Sequence, residues 1–454
     1  MMTYEEFLSQ KKISDVPVGM SGDFELNENM FQFQKDIVKW ALKRGRCAIF
    51  ADCGMGKTLM QLEWASHIKG NVLIVAPLAV SEQTIREAQK FGIKSIAYSG
   101  DGNPSGEHIT ITNYERLEKF SPDEFDGIVL DESSIIKSYT GKYRNTLVDS
   151  WTRVPFRLCC TATPAPNDFM ELGNHAEFLG IMKRTEMLSM FFVHDGGDTS
   201  KWRLKGHAKS EFWKWVCDWA VMVRKPSDLG YDDGKFILPK LNIIPSVVMT
   251  ESTNNNMLFD FDARTLQERQ SVRRNSTLDR VRRVAELVAK NPDEQWLLWC
   301  DMNVESETLH KLIPNSIEVK GSDTDEHKKK SLIDFSNGDL KVIITKPKIA
   351  GMGMNFQKCH NMVFTGLSDS YEQFYQAVRR CWRFGQENEV NCYVVTADTE
   401  GAVVENIKRK ENQSKIMIDE MVRNMTDVNK ENISGTKRNI TSYVPKINMR
   451  KPNF

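Results

Sequence analysis

The chain has 454 residues, 40% of them hydrophobic, which is enough for two or three domains with their own cores and excludes a fibre or a polar tail. Basic and acidic residues balance at 61 each, so any nucleic-acid site has to come from local clustering of charge. Nine cysteines without a C-x-x-C spacing argue against a disulfide framework or a zinc site, and no stretch nears the ~18 apolar residues of a membrane span, so a soluble, reduced, cytoplasmic protein is expected.

In chain order, the first strong pattern is a helix over Phe31 to Leu42, with apolar residues Phe33, Ile37, Val38, Ala41 and Leu42 at helical spacing. Gln34 lies on it. Its amide can pair bidentately with the N6/N7 edge of adenine or can be a solvated surface group. Next comes a short apolar run, Cys47 to Phe50, then Ala51-Asp52-Cys53-Gly54-Met55-Gly56-Lys57-Thr58, then a helical pattern from Leu59 to Ile68. Strand, glycine-rich turn and helix in that order make a phosphate-binding loop. Gly54 and Gly56 free the backbone N–H groups to curl around a β-phosphate, Lys57 can reach the β/γ oxygens, and the Thr58 hydroxyl can ligate Mg²⁺.

Further short apolar runs, Val72 to Ala76, Ile109 to Thr112, Ile128 to Leu130 and Arg157 to Thr161, alternate with helical or turn segments and predict a parallel sheet covered by helices. The third of them runs into Asp131-Glu132-Ser133-Ser134. An acidic pair at the carboxyl end of a buried strand is either a solvated turn or, with Lys57 upstream, a catalytic pair in which Asp131 holds Mg²⁺ and Glu132 polarises water. From Phe178 to Lys240 the texture changes, with Trp202, Trp213, Trp215 and Trp219 among lysines and arginines. The stripe Trp213, Val216, Trp219 and Ala220 favours core packing over base stacking.

Strand-and-helix alternation resumes from Ile243, with runs at Trp296 to Cys300, Ile317 to Val319, Val342 to Thr345, Met362 to Thr365 and Cys392 to Val395. This second unit has no glycine-lysine loop. It carries Gly351-x-Gly353-x-Asn355 and Gln376-x-x-x-Arg380-x-x-Arg383-x-Gly385-Gln386, in which Arg380 and Arg383 at i and i+3 can present two guanidiniums to one target, such as a γ-phosphate, or form a basic surface helix. Past Met425 the chain turns polar and basic and reads as a disordered tail.

Together these residues resemble the superfamily 2 helicases, and within them the Swi/Snf-type DNA translocases in a compact form found in phages and mobile elements. Phe33-Gln34 resembles the adenine-reading glutamine motif, Gly54 to Thr58 motif I, Ala76-Pro77 motif Ia and Thr112-Asn113 motif Ib. Asp131-Glu132 resembles the start of the D-E-A-H box, with Ser133-Ser134 where that box has Ala-His. Thr161-Ala162-Thr163-Pro164 resembles motif III, Gly351 to Asn355 motif V, and Gln376 to Gln386 motif VI.

The resemblance implies an α/β fold of two RecA-like parallel-sheet lobes: an extension over 1–28, the first lobe over 29–177, a mainly helical insertion over 178–242, the second lobe over 243–425 and the tail over 426–454. It implies an ATP hydrolase that moves on DNA, duplex favoured and single strands possible, with ATP and Mg²⁺ as cofactors and no membrane. Lys57, Asp131, Glu132, Arg380 and Arg383 would be catalytic, and Thr58 and Asp131 would hold the metal. Gln34, Gly54, Gly56, Lys57, Thr58, Gly353 and Gln376 would contact ATP; Pro77, Thr112, Asn113, Thr161, Thr163 and Asn355 would contact nucleic acid. Two other readings stay open: the motor of a restriction or nuclease complex with a nuclease or methyltransferase partner, and an ATP-gated switch acting on a protein.

Overall fold

The computed structural model of the chain describes residues 18–103, 106–195, 198–249, 274–350 and 354–433. Its first sheet is built from β1 (Arg46–Ala51), β2 (Val72–Ala76), β3 (Ile96–Tyr98), β4 (Ile109–Asn113), β5 (Gly127–Asp131) and β6 (Phe156–Cys160). A hairpin of β7 (Phe192–Asp195) and β8 (Asp198–Leu204) stands apart, and β9 (Ala220–Val223) rejoins the sheet. The seven strands run in the order β3-β4-β2-β5-β6-β1-β9, each pair parallel. Cys47 to Ala51 and Val72 to Ala76 are fully buried, as near-continuous apolar strands are when helices cover both faces. Ile49 and Asp131 both lie opposite Cys160, so the loops leaving β1, β6 and β5 emerge side by side.

The second sheet comprises β10 (Leu241–Val248), β11 (Trp296–Trp299), β12 (Ser316–Glu318), β13 (Val342–Thr345), β14 (Asn361–Thr365) and β15 (Val390–Ala397). Its order is β10-β15-β14-β11-β13-β12, again all parallel. The chain is therefore an α/β protein of two parallel-sheet lobes.

Two segments differ from the sequence reading. The stretch 178–242 is not a free-standing insertion, because β9 pairs with β1 and the helix Lys209–Trp219 buries Trp213, Trp215 and Trp219 in the first lobe's core. Packing, not exposure, accounts for those tryptophans. At the C-terminus the helix Gly401–Ile433 continues through the start of the expected tail, whose residues 434–454 lie outside the described ones. This helix leaves the second lobe, where Val403 and Ile407 join its core, and returns to the first, where Met417, Met421 and Met425 are buried. Arg224–Asp419 at 2.9 Å and Lys209–Glu420 at 2.8 Å flank that contact. Among the described residues no helix is long and apolar enough to cross a membrane.

The second lobe contains a buried ion pair between Arg280 and Glu305, both with no exposure, at 2.7 Å. Arg280 also donates to the Thr365 carbonyl at 2.7 Å, while the other Glu305 oxygen accepts from the N–H groups of Asp301 and Met302. Removing one partner strands the other charge in the interior. Arg280→Met should therefore cost about 3–5 kcal/mol, and Arg280→Met with Glu305→Leu should recover part of that loss. Urea denaturation measures both; a cost for Arg280→Met below about 1 kcal/mol, the scale of an exposed pair, would refute this account.

Candidate active site

The turn between β1 and the helix Lys57–His67 needs its glycines. Gly54 and Gly56 sit at φ 90° and 80°, the left-handed region that L side chains rarely adopt, and a Cβ on Gly56 would lie 2.3 Å from the Gln34 amide nitrogen. Gln34 is buried and fully engaged. Its Nε2 donates to the Met55 carbonyl at 2.9 Å and its Oε1 accepts from the Phe31 N–H at 2.9 Å, so here it braces the loop from below. Lys57 donates to the Ala51 carbonyl at 3.0 Å. Burial of its ammonium lowers its pKa, but Glu132, Cys53 and Asp131 outweigh this and hold it above the ordinary lysine value. Thr58 follows in the first turn of the helix.

Asp131 ends β5 and is 4% exposed; its Oδ1 accepts from the Glu132 N–H at 3.1 Å. Burial first, then the Glu132 carboxylate, push the Asp131 pKa up to about 7 against the pull of Lys57. Two carboxylates facing one ammonium leave a local excess of negative charge, and a divalent cation at Asp131 and Thr58 fits that excess. Glu132 itself sits at φ 52°, ψ 52°, an outlier that costs about 1–3 kcal/mol and that surrounding contacts must hold in place. One such contact comes from the segment after β6: the Thr161 hydroxyl donates to Glu132 Oε2 at 3.3 Å. Ser133 shares a 3.1 Å hydrogen bond with His175, whose pKa burial pulls down to about 4.

One helix face of the second lobe bonds to the first. In the helix Tyr371–Val378 and the residue that follows it, Glu372, Tyr375 and Arg379 recur at i, i+3 and i+7. The Tyr375 hydroxyl bonds to Asp52 of the phosphate loop, and Arg379 Nη2 donates to Asp52 Oδ2 at 2.8 Å and to the Cys53 carbonyl at 2.6 Å. Burial lowers the Arg379 pKa, but the Asp52 carboxylate more than reverses that and keeps the guanidinium firmly charged. Phe384 packs over Gly54, where a Cβ would meet its backbone nitrogen at 3.0 Å.

The arginines expected at the γ-phosphate are turned elsewhere. Arg380 donates to the Gln376 carbonyl at 3.1 Å and to the Met354 carbonyl at 3.0 Å, and Arg383 reaches the same Met354 carbonyl at 3.2 Å. They do share a target, but it belongs to their own lobe. Burial and the neighbouring Arg380 lower the Arg383 pKa to about 10. Gln376 is buried, and Gly353 lies outside the described residues. Of the expected nucleic-acid contacts, Thr112, Asn113, Thr161 and Thr163 are buried at the ends of strands, with Asn113 donating to the Tyr98 hydroxyl at 3.1 Å; only Pro77 and Asn355 are half-buried. Asp52, Glu372, Tyr375 and Arg379 stand outside the residues expected from the sequence, where the i, i+3, i+7 spacing of the last three is their one signal.

Residues 33–192 match the SNF2-related domain family, and residues 279–385 match the helicase conserved C-terminal domain. The chain joins an SNF2-related domain to a helicase conserved C-terminal domain. Its sequence is 28% identical over 179 residues to the Arabidopsis thaliana ATP-dependent DNA helicase DDM1, covering 32% of this chain and 23% of that protein. It is 22% identical over 425 residues to the Bos taurus DNA annealing helicase and endonuclease ZRANB3, covering 82% of this chain and 39% of that one. It thus spans less than two fifths of the length of either relative. The solved Sulfolobus solfataricus SWI2/SNF2 ATPase core in complex with dsDNA is similar at 17% identity and a TM-score of 0.42, over 92% of this chain and 98% of that one.

The Arg379–Asp52 contact is testable without substrate. With Arg379 3% and Asp52 16% exposed, Arg379→Ala and Asp52→Ala should be non-additive in thermal or urea denaturation, with a coupling of about 0.5–3 kcal/mol. Strict additivity would show that the second lobe does not grip the phosphate loop.

Proposed function

We propose that the protein hydrolyses ATP between its lobes and couples the cycle to movement along DNA, duplex favoured. The observation that carries this reading is that Lys57 of the phosphate loop neighbours the Asp131–Glu132 pair while Arg379 of the second lobe bonds to the same loop. Lys57 neutralises charge on the β- and γ-phosphates, the N–H groups of the loop bind their oxygens, and Glu132 orients the attacking water and takes its proton. Thr58 and Asp131 would hold Mg²⁺, which when bound would supply positive charge beside the phosphate oxygens. Arg379 is the second-lobe guanidinium bonded to the loop; Arg380 and Arg383 each spend one Nη1 bond on the Met354 carbonyl, and their remaining N–H groups would be the donors toward a γ-phosphate.

Movement follows if the nucleotide state changes how the lobes meet and each lobe holds the phosphodiester backbone separately. A cavity of about 370 Å³ between the lobes is lined by Lys137, Lys348 and Lys410 together with Asp301, Asp369 and Glu372, so the donors it offers from both lobes stand beside an equal number of carboxylates.

The deciding assay is ATP turnover with duplex DNA, single-stranded DNA or RNA as separate stimulants. Duplex DNA should stimulate most, and the stimulation should fall steeply with salt as released counterions are no longer favoured. Lys57→Ala should abolish turnover while the protein stays folded. Turnover indifferent to every nucleic acid at low salt would favour a switch acting on a protein partner.

A further inference from the structure

The helix that follows the phosphate loop buries an amide without a partner. Gln61 lies in the helix Lys57–His67 with no exposure, between Met60 and Leu62, which are equally buried. Neither its Nε2 nor its Oε1 makes a hydrogen bond with any of the described residues. Such an amide gives up its bonds to water and gains none in return, a loss that an apolar side chain of the same length avoids. Its place on the helix is specific. Gln61 follows Lys57 at i+4 and Thr58 at i+3, so the three share one face, and the helix packs on β5, which ends in Asp131. Against the burial that raises the Asp131 pKa, Gln61 pulls it down, as a donor to an ionised carboxyl does. The amide thus stands beside Asp131, short of the geometry of a formed hydrogen bond.

We propose that Gln61 is a positioning residue for cation binding: its amide donates to Asp131 and fixes the direction in which that carboxylate faces the cation. This rests on the hydrolytic reading above. Asp131 Oδ1 already accepts from the Glu132 N–H at 3.1 Å, a bond from its own chain. One bond leaves a carboxylate free to rotate about it. A second donor, on a helix that is itself packed against β5, removes that freedom, and partners of this kind change metal affinity or activity 10- to 100-fold. The helix that places Thr58 thereby also orients Asp131, so both residues assigned to the cation are set by one rigid element. The unpartnered amide lowers the stability of the free protein, as groups kept for function do.

The test uses the full chain and compares wild type, Lys57→Ala, Gln61→Met, Asp131→Asn and the double variant Gln61→Met with Asp131→Asn. Three quantities are measured: the urea midpoint, the affinity for fluorescently labelled ATP in Mg²⁺ and in EDTA, and the Mg²⁺ concentration that half-saturates turnover with duplex DNA. Gln61→Met keeps the length of the side chain and removes both polar atoms, so its urea midpoint should be no lower than that of wild type. The half-saturating Mg²⁺ concentration should rise roughly 10- to 100-fold, and the gain in ATP affinity that Mg²⁺ confers should shrink by a similar factor. Affinity in EDTA should stay within about twofold, since Gln61 acts only on the cation's carboxylate. The double variant should bind ATP in Mg²⁺ no more weakly than Asp131→Asn alone, because Gln61 works through Asp131. An unchanged Mg²⁺ requirement, a lowered urea midpoint, an equal loss of affinity in Mg²⁺ and EDTA, or losses that multiply in full in the double variant would each overturn the proposal. Wild-type turnover no higher than that of Lys57→Ala would instead remove the hydrolytic reading and this inference with it.

Discussion

The parallel pairing of β6 between β1 and β5 is the constraint on which the site depends. It sets Cys160 opposite both Ile49 and Asp131, so the chain leaves three neighbouring strands at one edge of the sheet. Lys57, Asp131, Glu132 and Thr161 come from well-separated parts of the chain and meet because those three exits are adjacent. The electrostatics follow from that meeting. Burial and mutual repulsion leave Asp131 reluctant to ionise, with its pKa near 7, while the same carboxylates keep Lys57 charged. Such a corner is matched to the polyphosphate and divalent cation that we propose it binds.

The second lobe repeats the parallel-sheet plan but brings a different tool. Where the first lobe offers a phosphate loop, the second offers a helix face whose Tyr375 and Arg379 grip that loop and whose Glu372 grips the segments after β5 and β6. One rigid element therefore senses both halves of the first lobe's site. The C-terminal helix reinforces the union, since its early residues belong to one core and Met417, Met421 and Met425 to the other. In the proposed cycle, a change in how the lobes meet would act through these contacts.

Much of this architecture is legible in the sequence because its signals are local. A glycine-rich turn between an apolar run and a helical pattern, and an acidic pair closing a buried strand, are each written within about a dozen residues, and the fully apolar strands announce a parallel sheet covered on both faces. What crosses the interface is not written locally. Thr112, Asn113, Thr161 and Thr163 stand where motif likeness suggests contacts with a ligand, yet they are buried, and Thr161 and Thr163 serve Glu132 and Glu372 instead. The tryptophans of the helix Lys209–Trp219 are core residues because β9 returns to pair with β1, a long-range pairing that composition does not reveal. The arginines show the limit most clearly. Arg379, Arg380 and Arg383 lie within five residues, but the helix ends at Val378, so turns and not a shared helix face aim them at different partners. The sequence by itself determined that a cluster of guanidiniums would stand near the second lobe's contact surface. Only the docking of the lobes decided that Arg379 meets Asp52 while the other two turn back to Met354.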